Sequence, residues 1–339
     1  MTSQRGIFDK LPGQEVAVGK ALTELSEMWN AHAGEGVAPS EFRASRMTLV
    51  LHLGFDCSEE EATDIFNLVL DFSRRYPCRV LALCAHPNSW ESDEGMACKI
   101  YSQCYIGPSR QDMSCCEALV LGYTLKSRKY LENQVSNFVE ADLPIYYWPL
   151  GFDSPERLSD YQFFFKEAER IVVDSAKEHF LVSKVQIPQI EKVHDLAYAR
   201  LLPVRQCIGQ FLSKFSVESI AKGLDEVVLI SGPDFEAEGR ALLSWIRRAL
   251  EACFEDVKGD ARDAGKLVEQ RVEKDCVMPR LVFGYGNGNA FECVLDFEKR
   301  EARIEAEFGG ERQSVTVAVK LLNLEDALGE ALFFGSVGM

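Results

Sequence analysis

Arg46-Met-Thr-Leu-Val-Leu-His-Leu-Gly54, then Cys57-Ser-Glu-Glu-Glu61, then Cys78-Arg-Val-Leu-Ala-Leu-Cys84 is the passage that decides the fold. The first and last segments are short apolar runs bounded by Gly and Pro, as buried strands are. Between them Ser58 stands where a helix N-cap belongs, with three acids in the first turn opposite the positive end of the helix dipole. Ile65, Phe66, Leu68, Val69 and Phe72 continue the helix, which must stop before Pro77. Strand, helix and strand make a βαβ unit and predict an α/β fold.

Outward from this unit, Glu15 to Met28 has helical spacing and is interrupted by the Gly/Pro-containing stretch Gly34 to Pro39. Downstream, strands are expected over Lys99 to Ile106 and Glu117 to Tyr123, with Gly107-Pro108 as turn signal, which makes the sheet mixed. A helix over Lys129 to Val139 leads to a strand in Asp142-Leu-Pro-Ile-Tyr-Tyr-Trp-Pro149, and Ile171 to Ser175 forms another. A long helix with an early Pro203 spans Asp195 to Phe215. The character changes near 220, so two α/β domains are expected, 1–220 and 221–339, each a mixed sheet with helices packed on it. The second has a strand at Glu226 to Gly232, a helix over Ala241 to Phe254, and a charged loop or helix over Glu255 to Lys274. Four antiparallel strands follow from Leu281, joined through Gly286-Asn-Gly288, Glu298 to Glu301 and Gly309-Gly310, and a helix from Leu324 to Phe334 ends the reading.

The charge balance, 37 basic against 53 acidic residues for a net −16, sets the function classes aside. Such a chain repels phosphate backbones and anionic lipid, so neither nucleic acid nor membrane is an expected partner. No segment has the roughly 20 apolar residues of a membrane helix, and Met1 to Lys10 lacks the order of a secretory signal, so a cytoplasmic protein with reduced thiols is expected. Eleven cysteines include no C-x-x-C pair, so no metal site is expected. Gly284-Tyr-Gly286-Asn-Gly288 has the wrong spacing for a dinucleotide loop and sits between strands, and no Walker A sequence occurs, so no cofactor is expected. Ser231-Gly-Pro-Asp234 reads as a helix N-cap. The cysteines Cys78, Cys115 and Cys116 lie on or beside strands, where they are either inert buried thiols or a redox group.

Four segments in order resemble one family: Arg75-Tyr-Pro-Cys-Arg-Val-Leu-Ala-Leu83, Asp142-Leu-Pro-Ile-Tyr-Tyr-Trp-Pro-Leu-Gly151, Arg170-Ile-Val-Val-Asp-Ser175, and Asp195-Leu-Ala-Tyr-Ala-Arg-Leu-Leu-Pro-Val-Arg-Gln-Cys-Ile-Gly-Gln-Phe211. The family is that of the glucose-6-phosphate dehydrogenase assembly proteins, OpcA. The chain departs from the pattern at Tyr147, Tyr198 and Val204, where the family tends to carry Trp. The resemblance implies a non-enzymatic partner that activates or assembles glucose-6-phosphate dehydrogenase in the oxidative pentose phosphate pathway, with thioredoxin as a second partner for a redox-modulated protein. It points to Arg79, Tyr147, Trp148, Asp174, Ser175, Asp195, Arg200 and Arg205. Of these, Tyr147 and Trp148 alternate on a strand, where core packing is the commoner fate and a partner surface on one face the alternative. Asp174 and Ser175 at a strand end are positioned to meet Arg200 and Arg205 in a charge-assisted cluster. The competing readings are an enzyme of sugar metabolism using Asp174, His86 and Arg79 in a cleft, and a sugar-phosphate sensor with basic residues at a helix N-terminus.

Overall fold

The structure is a computed structural model that describes residues 5–32, 45–86, 95–105, 114–139, 143–152, 154–178, 184–257 and 263–335. The stretch Gly34 to Pro39, the Gly107-Pro108 turn and Asp142 lie outside them. The fold is α/β, built on two mixed sheets. Contact density divides it into two units: residues 1–173 with 180–193, and residues 174–179 with 194–339.

The first unit is organised by the βαβ passage. Strand β2 (Thr48–Leu53) is buried at every position because it runs parallel between β3 (Arg79–His86) and β6 (Ile145–Leu150), with both faces covered. The connecting helix Glu59–Arg75 begins as the sequence indicates, with Ser58 Oγ accepting from the Glu61 amide at 3.1 Å. Strands β4 (Met96–Tyr105) and β5 (Ser114–Thr124) form an antiparallel pair, and β5 lies parallel to β3. Beyond β6 lie β7 (Arg170–Val173) and the short β8 (Val193–Asp195), and β1 (Gln14–Val16) closes the other edge, giving the order β1-β4-β5-β3-β2-β6-β7-β8. Gln14 to Val16 is thus strand where helical spacing begins, because its backbone pairs with β4; the helix starts only at Ala21.

The five parallel strands have the order of a doubly wound sheet, with β3 and β6 on opposite sides of β2. A ligand normally sits at such a switch point, outside the carboxyl ends of the strands. Here the two segments that leave β2 and β6 close it. The Gly54 amide donates to the Leu150 carbonyl at 2.7 Å, and the Asp56 amide to the Gly151 carbonyl at 2.9 Å. A Cβ on Gly54 would lie 2.3 Å from the Gly151 carbonyl oxygen, and Gly151 has φ +67° with its own Cβ position 2.6 Å from Cys57. Both glycines are required by this crossing.

In the second unit β9 (Leu224–Ser231) is joined through the helix Glu236–Asp256 to the parallel β10 (Val268–Val272), within the region expected as charged loop or helix. The run Val-Glu-Gln-Arg-Val is an edge strand with little apolar signal. Strands β11 (Arg280–Tyr285), β12 (Ala290–Asp296), β13 (Glu301–Phe308) and β14 (Glu311–Ala318) form the antiparallel meander, so the order is β10-β9-β11-β12-β13-β14. Burial alternates along β12 and β13, as one covered face demands. The cover comes from Glu236–Asp256 and from the helices Leu196–Arg200 and Leu202–Leu212, broken at Leu201 just ahead of Pro203. Tyr198, Leu201, Val204, Ile208 and Phe211 share a core with Leu229, Phe283, Phe291 and Ile304. The unit division at Val193/His194 therefore lies upstream of residue 220, where the sequence changes character.

Candidate functional site

The residues singled out in the first unit sit inside it. Tyr147 and Trp148 are 0% and 1% exposed, because β6 is a central parallel strand and neither face reaches solvent. Tyr147 stacks on Phe164, with centroids 4.9 Å apart. Alternation along the strand leaves no open face for a partner here. Arg79 is equally buried: its Nε donates to Glu117 Oε1 and its Nη1 to the Phe138 carbonyl at 2.9 Å, tying three segments of the unit together.

Sequence reasoning placed His52 in a strand and missed its partners. Its Nδ1 lies 2.8 Å from the Tyr147 hydroxyl and its Nε2 2.7 Å from that of Tyr123, which donates to the Tyr161 hydroxyl at 2.6 Å. If Tyr123 donates onward, it accepts from His52, so the ring carries its proton on Nε2 and Tyr147 donates to Nδ1. Burial pushes the His52 pKa down to about 3. Tyr161 and Phe152 meet the ring edge-on, and His52, Tyr123 and Tyr147 are each 0% exposed, a sealed polar core and not a reacting centre.

The cluster expected around Asp174 forms in the second unit. Arg200 Nη1 and Nη2 donate to the two Asp174 oxygens at 3.0 and 2.8 Å, and Nε donates to Glu238 at 2.9 Å. Ser175 joins a neighbouring centre: its amide and hydroxyl donate to Asp195 at 3.0 and 2.6 Å, and Asp195 also caps the Leu196–Arg200 helix through the Ala197 amide. Burial raises the Asp195 pKa against the lowering effect of those donors. Arg205 does not take part. It lies over the Tyr198 ring at 3.8 Å, donates to the Tyr198 hydroxyl at 2.8 Å and approaches Glu330 at 3.9 Å, while desolvation lowers its pKa.

Two carboxylates, Asp174 and Glu238, already occupy the one guanidinium of Arg200, so this centre does not favour an anionic sugar phosphate. The long helices carry Glu59, Glu60 and Glu61, or Glu236 and Glu238, in their first turns, which spoils their N-termini as anion sites. Nor do Arg79 and His86 share a cleft: they stand at opposite ends of β3, roughly 20 Å apart at a strand's rise per residue. Ser231 is no cap. It is buried in β9, its hydroxyl 3.5 Å from Gln270 Nε2, and the helix at Glu236 begins without a side-chain cap.

Cys78 and Cys116 are buried at 2% and 1% exposure. Burial pushes the Cys116 thiol up to about 11 and the Cys78 thiol higher, so the reactive thiolate is scarce. The side chain of Cys115 lies outside the described residues. Alkylation of the native protein is expected to leave Cys78 and Cys116 unmodified, with labelling only after denaturation; peptide mass mapping reads this, and native labelling of either would contradict their place in the core.

These features define an α/β protein whose charged motif residues hold its own chain together. No curated protein matches the chain. Residues 70–191 match the family model described as "Glucose-6-phosphate dehydrogenase subunit N-terminal domain", so over that stretch the chain is similar to the glucose-6-phosphate dehydrogenase assembly family. The match contains the Arg75 and Arg170 motifs and the described part of the β6 motif; the Asp195 to Phe211 motif lies beyond it.

Proposed function

We propose that this protein is a non-enzymatic, cytoplasmic partner of glucose-6-phosphate dehydrogenase that favours the assembled, active state of that enzyme in the oxidative pentose phosphate pathway. The observation that carries the reading is the family match over residues 70–191. The internal pairing of Arg79, Asp174, Ser175, Asp195 and Arg200 agrees with it, since a partner protein needs a rigid shape and no chemistry of its own. An activator works by binding the active state more tightly than the inactive one; a tenfold preference shifts the equilibrium tenfold, about 1.4 kcal/mol. Redox modulation, with thioredoxin as second partner, is the finer part of the reading and belongs to thiols other than the buried Cys78 and Cys116.

The purified protein mixed with glucose-6-phosphate dehydrogenase of the same organism is expected to co-elute with it in size-exclusion chromatography. NADP reduction across glucose 6-phosphate concentrations should show a lower half-saturation or a higher maximal rate. The same pair under reducing and oxidising conditions tests the redox part. Unchanged rate and elution in both conditions would remove the reading.

A further inference from the structure

The two edges of the second sheet differ in a way that calls for a partner. Strand β10 is short and charged, with Glu269 and Arg271 paired along it at 2.8 Å. Strand β14 has eight residues, pairs with β13 in unbroken register, and carries no charge, Pro or Gly from Gln313 to Ala318. Proteins protect such edges with charge, proline, bulges or shortness, and β14 has none of these over those six residues. Among the described residues no strand pairs with its outer side.

The register tells which groups are free. Gly309 and Gly310, with φ +61° and +83°, make the two-residue turn that closes on Phe308 and Glu311. Glu311, Gln313, Val315 and Val317 therefore exchange hydrogen bonds with β13, while the amides and carbonyls of Arg312, Ser314, Thr316 and Ala318 point outward. Beside this edge lies a groove of about 350 Å³ between β14 and the helix Leu202–Leu212, lined by Pro203, Cys207, Gln210, Phe211, Val315 and Val317. Lys214 also lines it.

We propose that β14 is the seam of a two-fold homodimer, in which the β14 strands of two copies pair antiparallel into one continuous sheet. The strand is self-complementary in one register. With the two-fold axis at Val315, Ser314 pairs with the second copy's Thr316 and Arg312 with its Ala318, so all four outward residues are used and no like charges stand opposite. Moving the axis to Thr316 would set Arg312 opposite Lys320. Gln313, Val315 and Val317 of the second copy then fall on the helix side, where the groove receives them. Two chains of net charge −16 meet along an uncharged stretch, which lowers their repulsion. An edge so unprotected needs cover as soon as the protein is made, and its own second copy is always present. The proposal is independent of the dehydrogenase reading.

The test uses the full chain alone. Light scattering behind size exclusion is expected to give twice the 38.1 kDa of one chain. Amide exchange by NMR should show Ser314 and Thr316 as slow as Val315. T316P removes an outward amide and blocks the seam while keeping every hydrogen bond to β13; because it enters the interface twice, the dissociation constant should rise about 100-fold. A monomeric mass, fast exchange at Ser314 and Thr316, or a folded T316P that still dimerises as tightly would each overturn the proposal. If T316P does not fold, the exchange measurement on the unaltered protein decides.

Discussion

Lowering the pH from 6.5 towards 3 is expected to remove about 4–5 kcal/mol of folding stability through His52 alone. The folded-state pKa of this histidine is about 3, against 6.5 for the unfolded chain. Above pH 6.5 both states hold a neutral ring and the stability is complete. Below it the unfolded chain binds a proton that the folded protein refuses, so stability drains until the pH reaches the folded value. The cause is geometric: the ring sits among Tyr123, Tyr147, Phe152, Tyr161 and Phe164, and among the described residues no carboxylate pairs with it. Urea unfolding at pH 7, 5 and 4 reads the loss, and H52Q separates it from the carboxylates that titrate in the same window. The variant keeps a donor for Tyr123 and has no imidazole, so it should be less stable at pH 7 and show a flatter pH dependence. Equal slopes for the two proteins would contradict the assignment, as would a His52 imidazole resonance that titrates near 6.5 in the native protein.

Replacing Arg200 with Met is expected to cost about 3–5 kcal/mol, because it strands the Asp174 and Glu238 carboxylates in the interior. Their side chains are 6% and 7% exposed, and the guanidinium serves both. The value of the cluster lies in mutual satisfaction, so R200M combined with D174L and E238M should recover most of the loss. Denaturant midpoints of the single and triple variants give the comparison. A single variant within about 1 kcal/mol of the parent would mean that water already reaches the carboxylates.

The parts that could be read from the sequence are those in which local pattern and global fold agree. The β2-helix-β3 unit announced itself through apolar runs, the Ser58 cap and Pro77, and the meander through its glycine turns. The pairing of Asp174 with Arg200 was legible because a strand end and the following helix bring those residue types together. What was not legible depended on neighbours distant in the chain. Gln14 to Val16 became strand by pairing with β4, and the charged run at Val268 became an edge because β9 lay beside it. Tyr147 and Trp148 have the composition of a recognition surface, and only the order of strands, with β6 between β2 and β7, buries them. His52 gave no local sign at all, since its partners come from Tyr123, Tyr147 and Tyr161.

The excursion of Asp174–His179 into the second unit has a consequence for how the gene can be cut. The family match ends at residue 191, yet the fold beyond it draws Asp174 and Ser175 from inside the matched stretch. A fragment starting at residue 194 would lose Asp174, one of the two carboxylates on Arg200, and Ser175, which donates to Asp195; one ending at 193 would carry Asp174 and Ser175 without Arg200 or Asp195. The second unit is therefore discontinuous in sequence, and a fragment that keeps its hydrogen-bonded cluster has to begin ahead of Asp174.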